Sequence, residues 1–212
     1  MAKFEIVPGL SFVDRKGWGA DASLERLGRK VARSSRTHVV IHHTVLGDTS
    51  DDSPNLWNRE SDIFRNMRRL QTVRAQDLGA DVPYNFVAYF VARNNGLMIC
   101  EGRGEDRSGA HTKGHNTEAI AVSFAGDFDR QSVAGIEFAR RMFLLSTFLG
   151  WLRFDPSHPD YGRFRPLRNL GNLHPEGRRV FIHKDFKSTA CPGRLLEPHL
   201  AQVGFIDPRT LG

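Results

Sequence analysis

Apolar residues fall along this chain in two periods. Short runs rich in β-branched and aromatic residues occur at His38–His42, Tyr84–Val91, Leu97–Glu101 and Ala119–Ala125. Each has strand length and is bounded by turn formers, so each predicts a strand. Asn94-Asn95-Gly96 reads as the turn joining the second and third into a hairpin. Elsewhere the period lengthens. Ile63, Met67 and Leu70 recur at helical spacing, with Arg65, Asn66 and Arg68 on other faces, which predicts a helix over residues 59–77 closed at Gly79. The clearest helix is predicted over residues 132–152, where Phe138, Met142, Leu145, Leu149 and Leu152 form one stripe. Phe143, Phe148 and Trp151 widen that stripe, and the width implies burial.

The remainder is connection. Residues 1–36 are mixed and predict an arm lying on the domain, in which Trp18 anchors a glycine-rich turn. Polar loops are expected at Gly47–Pro54 and, with His111 and His115, at Gly102–Asn116. Residues 155–178 carry Pro, Gly and Arg without periodicity and read as a long surface excursion. It leads to a short β-prone run, Val180-Phe181-Ile182, and the tail is expected to hold a short helix within Arg194–Val203, restarted at Pro198. Strands interleaved with helices predict an α/β architecture, a mixed central β-sheet flanked by helices. At 212 residues the chain suits one domain, 1–212.

Composition narrows the partners. Hydrophobic residues at 40% and charged residues at 25% are ordinary for a globular protein. The net charge of +6 favours polyanions or anionic surfaces, with nucleic acid and bacterial envelope both eligible. The arginines are scattered, as in Arg68-Arg69, Arg140-Arg141 and Arg178-Arg179, without the aromatic interleaving of a nucleic-acid surface, so they are expected to be solvated. No nucleic-acid partner is therefore expected. The first ten residues lack the apolar core of a signal peptide, and no run of ~18 apolar residues predicts a membrane span. A monomer is expected.

Two cysteines, Cys100 and Cys191, cannot build a disulfide framework. Cys100, inside a predicted strand, reads as a small buried hydrophobe. Cys191 is different. It follows His183 by eight residues, across a polar turn through Lys187-Ser188 that can fold the chain back on the strand end. Two ligands of one ion could meet there. The run ending in His42-His43 is the best source of a third, and because successive strand residues face opposite ways, only one of the pair can reach the ion. His38 shares a face with His42 but lies ~13 Å away along an extended strand. Two histidines and a cysteine make a zinc set, and three ligands rather than four leave a position for water.

With these residues laid out, the chain resembles the type 2 N-acetylmuramoyl-L-alanine amidase family, which includes phage amidase lysins and peptidoglycan recognition proteins. The resemblance rests on Lys16-Gly17-Trp18-Gly19-Ala20, Ile41-His42-His43-Thr44, Asp81-Val82-Pro83-Tyr84-Asn85-Phe86 and Glu101-Gly102-Arg103-Gly104. It continues through Gly109-Ala110-His111-Thr112 to Asn116 and closes with His183 to Cys191-Pro192-Gly193. It implies zinc ligands at His42, His183 and Cys191, a catalytic tyrosine at Tyr84, and a second catalytic position at Thr189. It also implies a substrate-facing role for His111, with Lys113 and Asn116 lining a groove, while His115, His158, His174 and His199 are left as surface residues.

The implied activity is zinc hydrolysis of the lactyl–L-alanine amide of bacterial peptidoglycan. The matched motifs hold no recognisable pair of carboxylates set to flank a glycosidic bond, such as glycoside cleavage requires. The alternative is a recognition module that binds peptidoglycan without cutting it. A short basic chain without a signal peptide fits a phage endolysin, held in the host cytoplasm until release to the wall.

Overall fold

The computed structural model describes residues 3–46, 55–73, 75, 79–154, 165–172 and 179–211. The expected loop at Gly47–Pro54 lies outside these, as do His158, His174 and most of the 155–178 segment.

The described residues form one mixed sheet. Its strands are β1 (Lys3–Val7), β2 (Leu10–Val13), β3 (His38–His43), β4 (Phe86–Val91), β5 (Gly96–Glu101), β6 (Ala119–Phe124) and β7 (Val180–Ile182). Across the sheet they run β1-β2-β5-β4-β6-β3-β7. The β1/β2 and β4/β5 pairs are antiparallel, and the other neighbours are parallel. The predicted hairpin is present: Val91 pairs with Gly96, and Asn94 and Asn95 take the left-handed conformation the turn needs.

Residues 3–13 correct the expected N-terminal arm, because they enter the sheet as an edge hairpin. Their signal was present as a weak alternation, Phe4 and Ile6 then Leu10 and Phe12, broken by the Pro8-Gly9 turn, where Gly9 has φ +89°.

Among the described residues, one helix covers each face. Helix α1 (Glu60–Thr72) sets Ile63, Met67 and Leu70 on Val87, Tyr89, Met98 and Cys100 of β4 and β5. Helix α2 (Phe138–Phe154) packs Met142, Leu145, Phe148, Leu149 and Leu152 on the opposite face, against Phe12, Val39, Ile41, Phe86 and Val122. Each large apolar side chain buried this completely contributes about 1.5–3 kcal/mol. The second helix begins six residues later than its periodicity suggests, after Gly135 turns the chain with φ +74°. Phe143, expected to widen the buried stripe, is exposed.

Residues 165–172, expected in a surface excursion, instead pin the chain to the core. Leu167 and Leu170 are fully buried, and the Leu167 and Gly171 amides donate to Leu152 and Thr37. The tail holds a 3-10 turn at Glu197–Gln202 within the expected span.

The expectation of solvated arginines fails at Arg36, Arg103 and Arg141, which are buried. Arg36 donates to the carbonyl oxygens of Glu105, Arg107, Asn116, Thr117 and Ala119. Arg103 donates to Val82 and Ser108 and lies 3.6 Å from the buried Asp81 carboxylate. A polar loop cannot satisfy its own backbone when pressed onto a sheet, and these guanidiniums supply the missing donors. The 102–118 loop is thereby fixed over the part of the sheet that α1 leaves uncovered. Trp18 packs as expected, its indole N–H donating to the Glu101 carbonyl at 2.8 Å.

Candidate metal centre

Strand register assembles the site. Ile41 of β3 pairs with Ile182 of parallel β7, so His42 and His183 come next at the same level on neighbouring strands. Such strands run ~4.8 Å apart, and the two imidazole centroids lie 4.5 Å apart. A 3-10 turn at His183–Asp185 then ends β7 and starts the return toward β3. Cys191 arrives with Sγ 3.6 Å from His42 Nδ1 and accepts the His43 amide at 3.4 Å. Ligand atoms of His42, His183 and Cys191 all fall within 4.8 Å of one another.

The alternation of β3 decides between the adjacent histidines. His43 faces away from this cluster, and its Nδ1 accepts the Phe128 amide at 3.3 Å. It stands with Asp127 and Asp129, again within 4.8 Å, on the other side of the strand. His38, far down β3, packs its ring against Phe181 and Phe186 instead.

The electrostatics suit a cation. Burial, then the neighbouring His111 and His183, hold the His42 pKa well below the usual imidazole range, so the ring is neutral and can ligate. Burial also lowers His183, with Lys187 adding to the effect. Burial pushes the Cys191 thiol up to about 12, partly opposed by the His43 amide. A thiol so placed becomes a thiolate only with a strong positive charge beside it, which a divalent ion provides. The donor set, two neutral imidazoles and a sulfur, matches zinc.

Around the cluster, Tyr84 precedes β4 rather than opening it. Its ring lies 5.3 Å from the His42 ring, and its hydroxyl donates to the His43 carbonyl at 3.4 Å. The Thr189 hydroxyl accepts the Cys191 amide at 3.3 Å, bracing the loop that carries the cysteine. The His111 ring sits 5.1 Å from His42. Burial, then Arg36 and His183, holds its pKa well down.

Lys113 is exposed on the same loop. Asn116 Oδ1 accepts the His111 and Thr112 amides and shapes the loop from within. His115 is half-buried, its ring 4.2 Å from that of Phe186, and His199 stacks on Phe138 at 3.7 Å, so neither is a plain surface residue. Cys100 is fully buried in β5, as expected, and burial raises its pKa strongly.

Three contributors were not singled out from sequence. Asn85 donates to the Gly104 and Arg107 carbonyls and accepts the Ala121 amide, tying the loop to β6. Arg36 holds the far side of the loop. The Thr112 hydroxyl lies 3.4 Å from His42 Nε2 and 3.0 Å from His111 Nδ1. Asn85 and Thr112 lie inside motifs already noted, whereas Arg36 carries no local signal.

No family model matches the chain. Among curated proteins it is 23% identical over 190 residues to peptidoglycan-recognition protein SC2 of Drosophila simulans, spanning 89% of this chain and 84% of that one. It is 30% identical over 119 residues to peptidoglycan-recognition protein 1 of Holotrichia diomphalia, spanning 56% and 52%. Wild-type Drosophila PGRP-LB superposes with a TM-score of 0.60 at 20% identity, over 93% of this chain and 97% of that one. The chain is thus similar to peptidoglycan-recognition proteins over most of its length and has the fold of their solved structures.

Another solved structure with the same fold is peptidoglycan recognition protein LE in complex with tracheal cytotoxin, a monomeric diaminopimelic acid-type peptidoglycan. Its TM-score is 0.59 at 22% identity, over 96% of this chain and 99% of that one. These relatives overturn the expectation of a phage endolysin waiting in a host cytoplasm. They are peptidoglycan-recognition proteins of insects and human, and one solved neighbour is an ectodomain complex. Among the described residues, no helix is long and apolar enough to cross a membrane.

Proposed function

We propose that this protein is a zinc-dependent N-acetylmuramoyl-L-alanine amidase that hydrolyses the amide between the lactyl group of N-acetylmuramic acid and the L-alanine of the stem peptide. The observation that carries this reading is the convergence of His42, His183 and Cys191 at the ends of two parallel strands. Three ligands leave a coordination position for a reacting group, whereas structural sites close with four.

When bound, zinc would supply a water of lowered pKa and a Lewis acid for the scissile carbonyl. The residues of the chain do the positioning. Tyr84, held by the His43 carbonyl, places a hydroxyl beside the ligand cluster, where it can orient the attacking water and the carbonyl. Thr189 fixes the Cys191 loop through its hydrogen bond to the Cys191 amide. Lys113, exposed on the loop above, offers a cation to an anionic stem peptide.

A second reading is a module that binds peptidoglycan without cutting it. It is favoured by the likeness to peptidoglycan-recognition proteins and by the solved complexes of such proteins with tracheal cytotoxin. Digestion separates the two. Purified peptidoglycan treated with the protein, with and without a chelator, is examined by mass spectrometry. The amidase reading expects free stem peptides beginning with L-alanine and uncut glycan strands, both abolished by the chelator. Retention of the protein on intact peptidoglycan with no new termini would establish the binding module. New reducing ends would refute both the amide assignment and the absence of glycosidase chemistry.

A further inference from the structure

The hydroxyl of Thr112 stands between two imidazoles. It lies 3.4 Å from His42 Nε2 and 3.0 Å from His111 Nδ1, it is buried, and its own loop is fixed by Asn116 and Arg36. Each neutral imidazole carries one proton, on one nitrogen or the other, and the partner at the second nitrogen decides which. On the far side of His42, Nδ1 faces Cys191 Sγ at 3.6 Å, and that sulfur already accepts the His43 amide. At that distance the sulfur can meet Nδ1 as donor or as acceptor, so the partner at Nε2 decides between the two tautomers.

With the His42 proton on Nε2, the Thr112 oxygen accepts it and the Nδ1 lone pair faces the sulfur. The Thr112 hydroxyl hydrogen is then available to His111 Nδ1, and the His111 proton falls on Nε2. His111 Nε2 is buried and has no hydrogen-bond partner among the described residues. An orphaned buried donor beside a cluster of ligand atoms is poised for a bound acceptor.

We propose that Thr112 is a positioning residue that sets both tautomers through one hydroxyl. It turns the lone pair of His42 Nδ1 toward the His183–Cys191 cluster and leaves His111 presenting an N–H donor beside it. The metal consequence rests on the zinc reading above, while the tautomer assignment does not. A ligating histidine is commonly held by such a partner at its other nitrogen, and loss of the partner typically costs 10–100-fold in metal affinity.

The test uses the metal-free full chain at pH 7.5, with imidazole nitrogen-15 spectra reading which nitrogen of His42 and of His111 carries the proton. The wild type should show Nε2–H at both. Thr112→Val should lose this pattern at His42, and Thr112→Ser should restore it. A wild-type His42 in the Nδ1–H form, or a Thr112→Val protein with an unchanged pattern, overturns the proposal. Zinc titration of the same samples is the second arm: about 10–100-fold weaker uptake by Thr112→Val, rescued by Ser, supports it. A wild type that takes up no zinc but shows both Nε2–H tautomers refutes the metal reading while upholding the role of Thr112.

Discussion

Replacing Arg36 by methionine keeps an apolar stem of similar reach and removes every donor of the side chain. In the native fold this guanidinium donates to the carbonyls of Glu105, Arg107, Asn116, Thr117 and Ala119, with well-defined distances of 2.6–3.3 Å to Ala119, Thr117, Glu105 and Asn116. Hydrogen bonds to a charged group contribute roughly 1.5–3 kcal/mol each, so the low end for the five acceptors comes to about 7.5 kcal/mol. Against this stands desolvation. Burial lowers the Arg36 pKa from the usual guanidinium range to about 10 despite help from Glu105, Asp106 and Glu118, a penalty of about 3 kcal/mol at 1.36 kcal/mol per pKa unit. Methionine escapes that penalty, leaving a net loss of about 4 kcal/mol, within the range for breaking a buried charged network. Denaturant unfolding of both proteins at equal slope measures it. Hydrogen exchange should localise early opening to residues 102–118. A loss under about 1 kcal/mol, or a gain, would show that the loop satisfies its carbonyls without Arg36 and would refute its place as the clamp over the site.

The remaining expectations concern the site and its charge. Cys191→Ser should lose most bound zinc by elemental analysis while Cys100→Ser, buried in β5, keeps a full equivalent; equal zinc in both would remove Cys191 from the ligand set. Tyr84→Phe should keep zinc and fold but lose roughly 10²–10⁴-fold in wall hydrolysis, the usual share of a positioned acid–base group, and activity within about twofold of wild type would make it structural. His42 and His111 have folded pKa values depressed below the unfolded value of about 6.5. The unfolded chain therefore takes up protons that the fold excludes, and stability of the metal-free protein should be full above about pH 6.5 and fall as pH drops below it; urea unfolding at pH 8 and pH 5.5 decides the sign. With a net charge of +6, retention on anionic cell walls should weaken as salt rises from about 0.05 to 0.5 M, and a salt-independent profile would separate binding from net charge.

By itself the sequence determined the two helices, the central strands and the two halves of the candidate centre. Ile63, Met67 and Leu70 point one way because the helical period places them so, and His42 and His43 part because a strand alternates. His183 and Cys191 are joined by a turn short enough that their chemistry could be read from spacing alone. What local pattern could not carry was pairing between distant segments. The Ile41–Ile182 register that levels His183 with His42 joins residues 141 positions apart and leaves no local trace. The edge hairpin of β1 and β2 was hidden because two short strands broken by Pro-Gly resemble a loop until β5 offers a partner. The buried Leu167 and Leu170 gave no periodicity, because a pair of anchors in an irregular segment has none.

Arg36 shows the limit most clearly: in sequence it is one basic residue among thirty. Only the folded chain surrounds it with carbonyls, because a polar loop pressed onto a sheet must find donors somewhere, and that need exists in no segment alone.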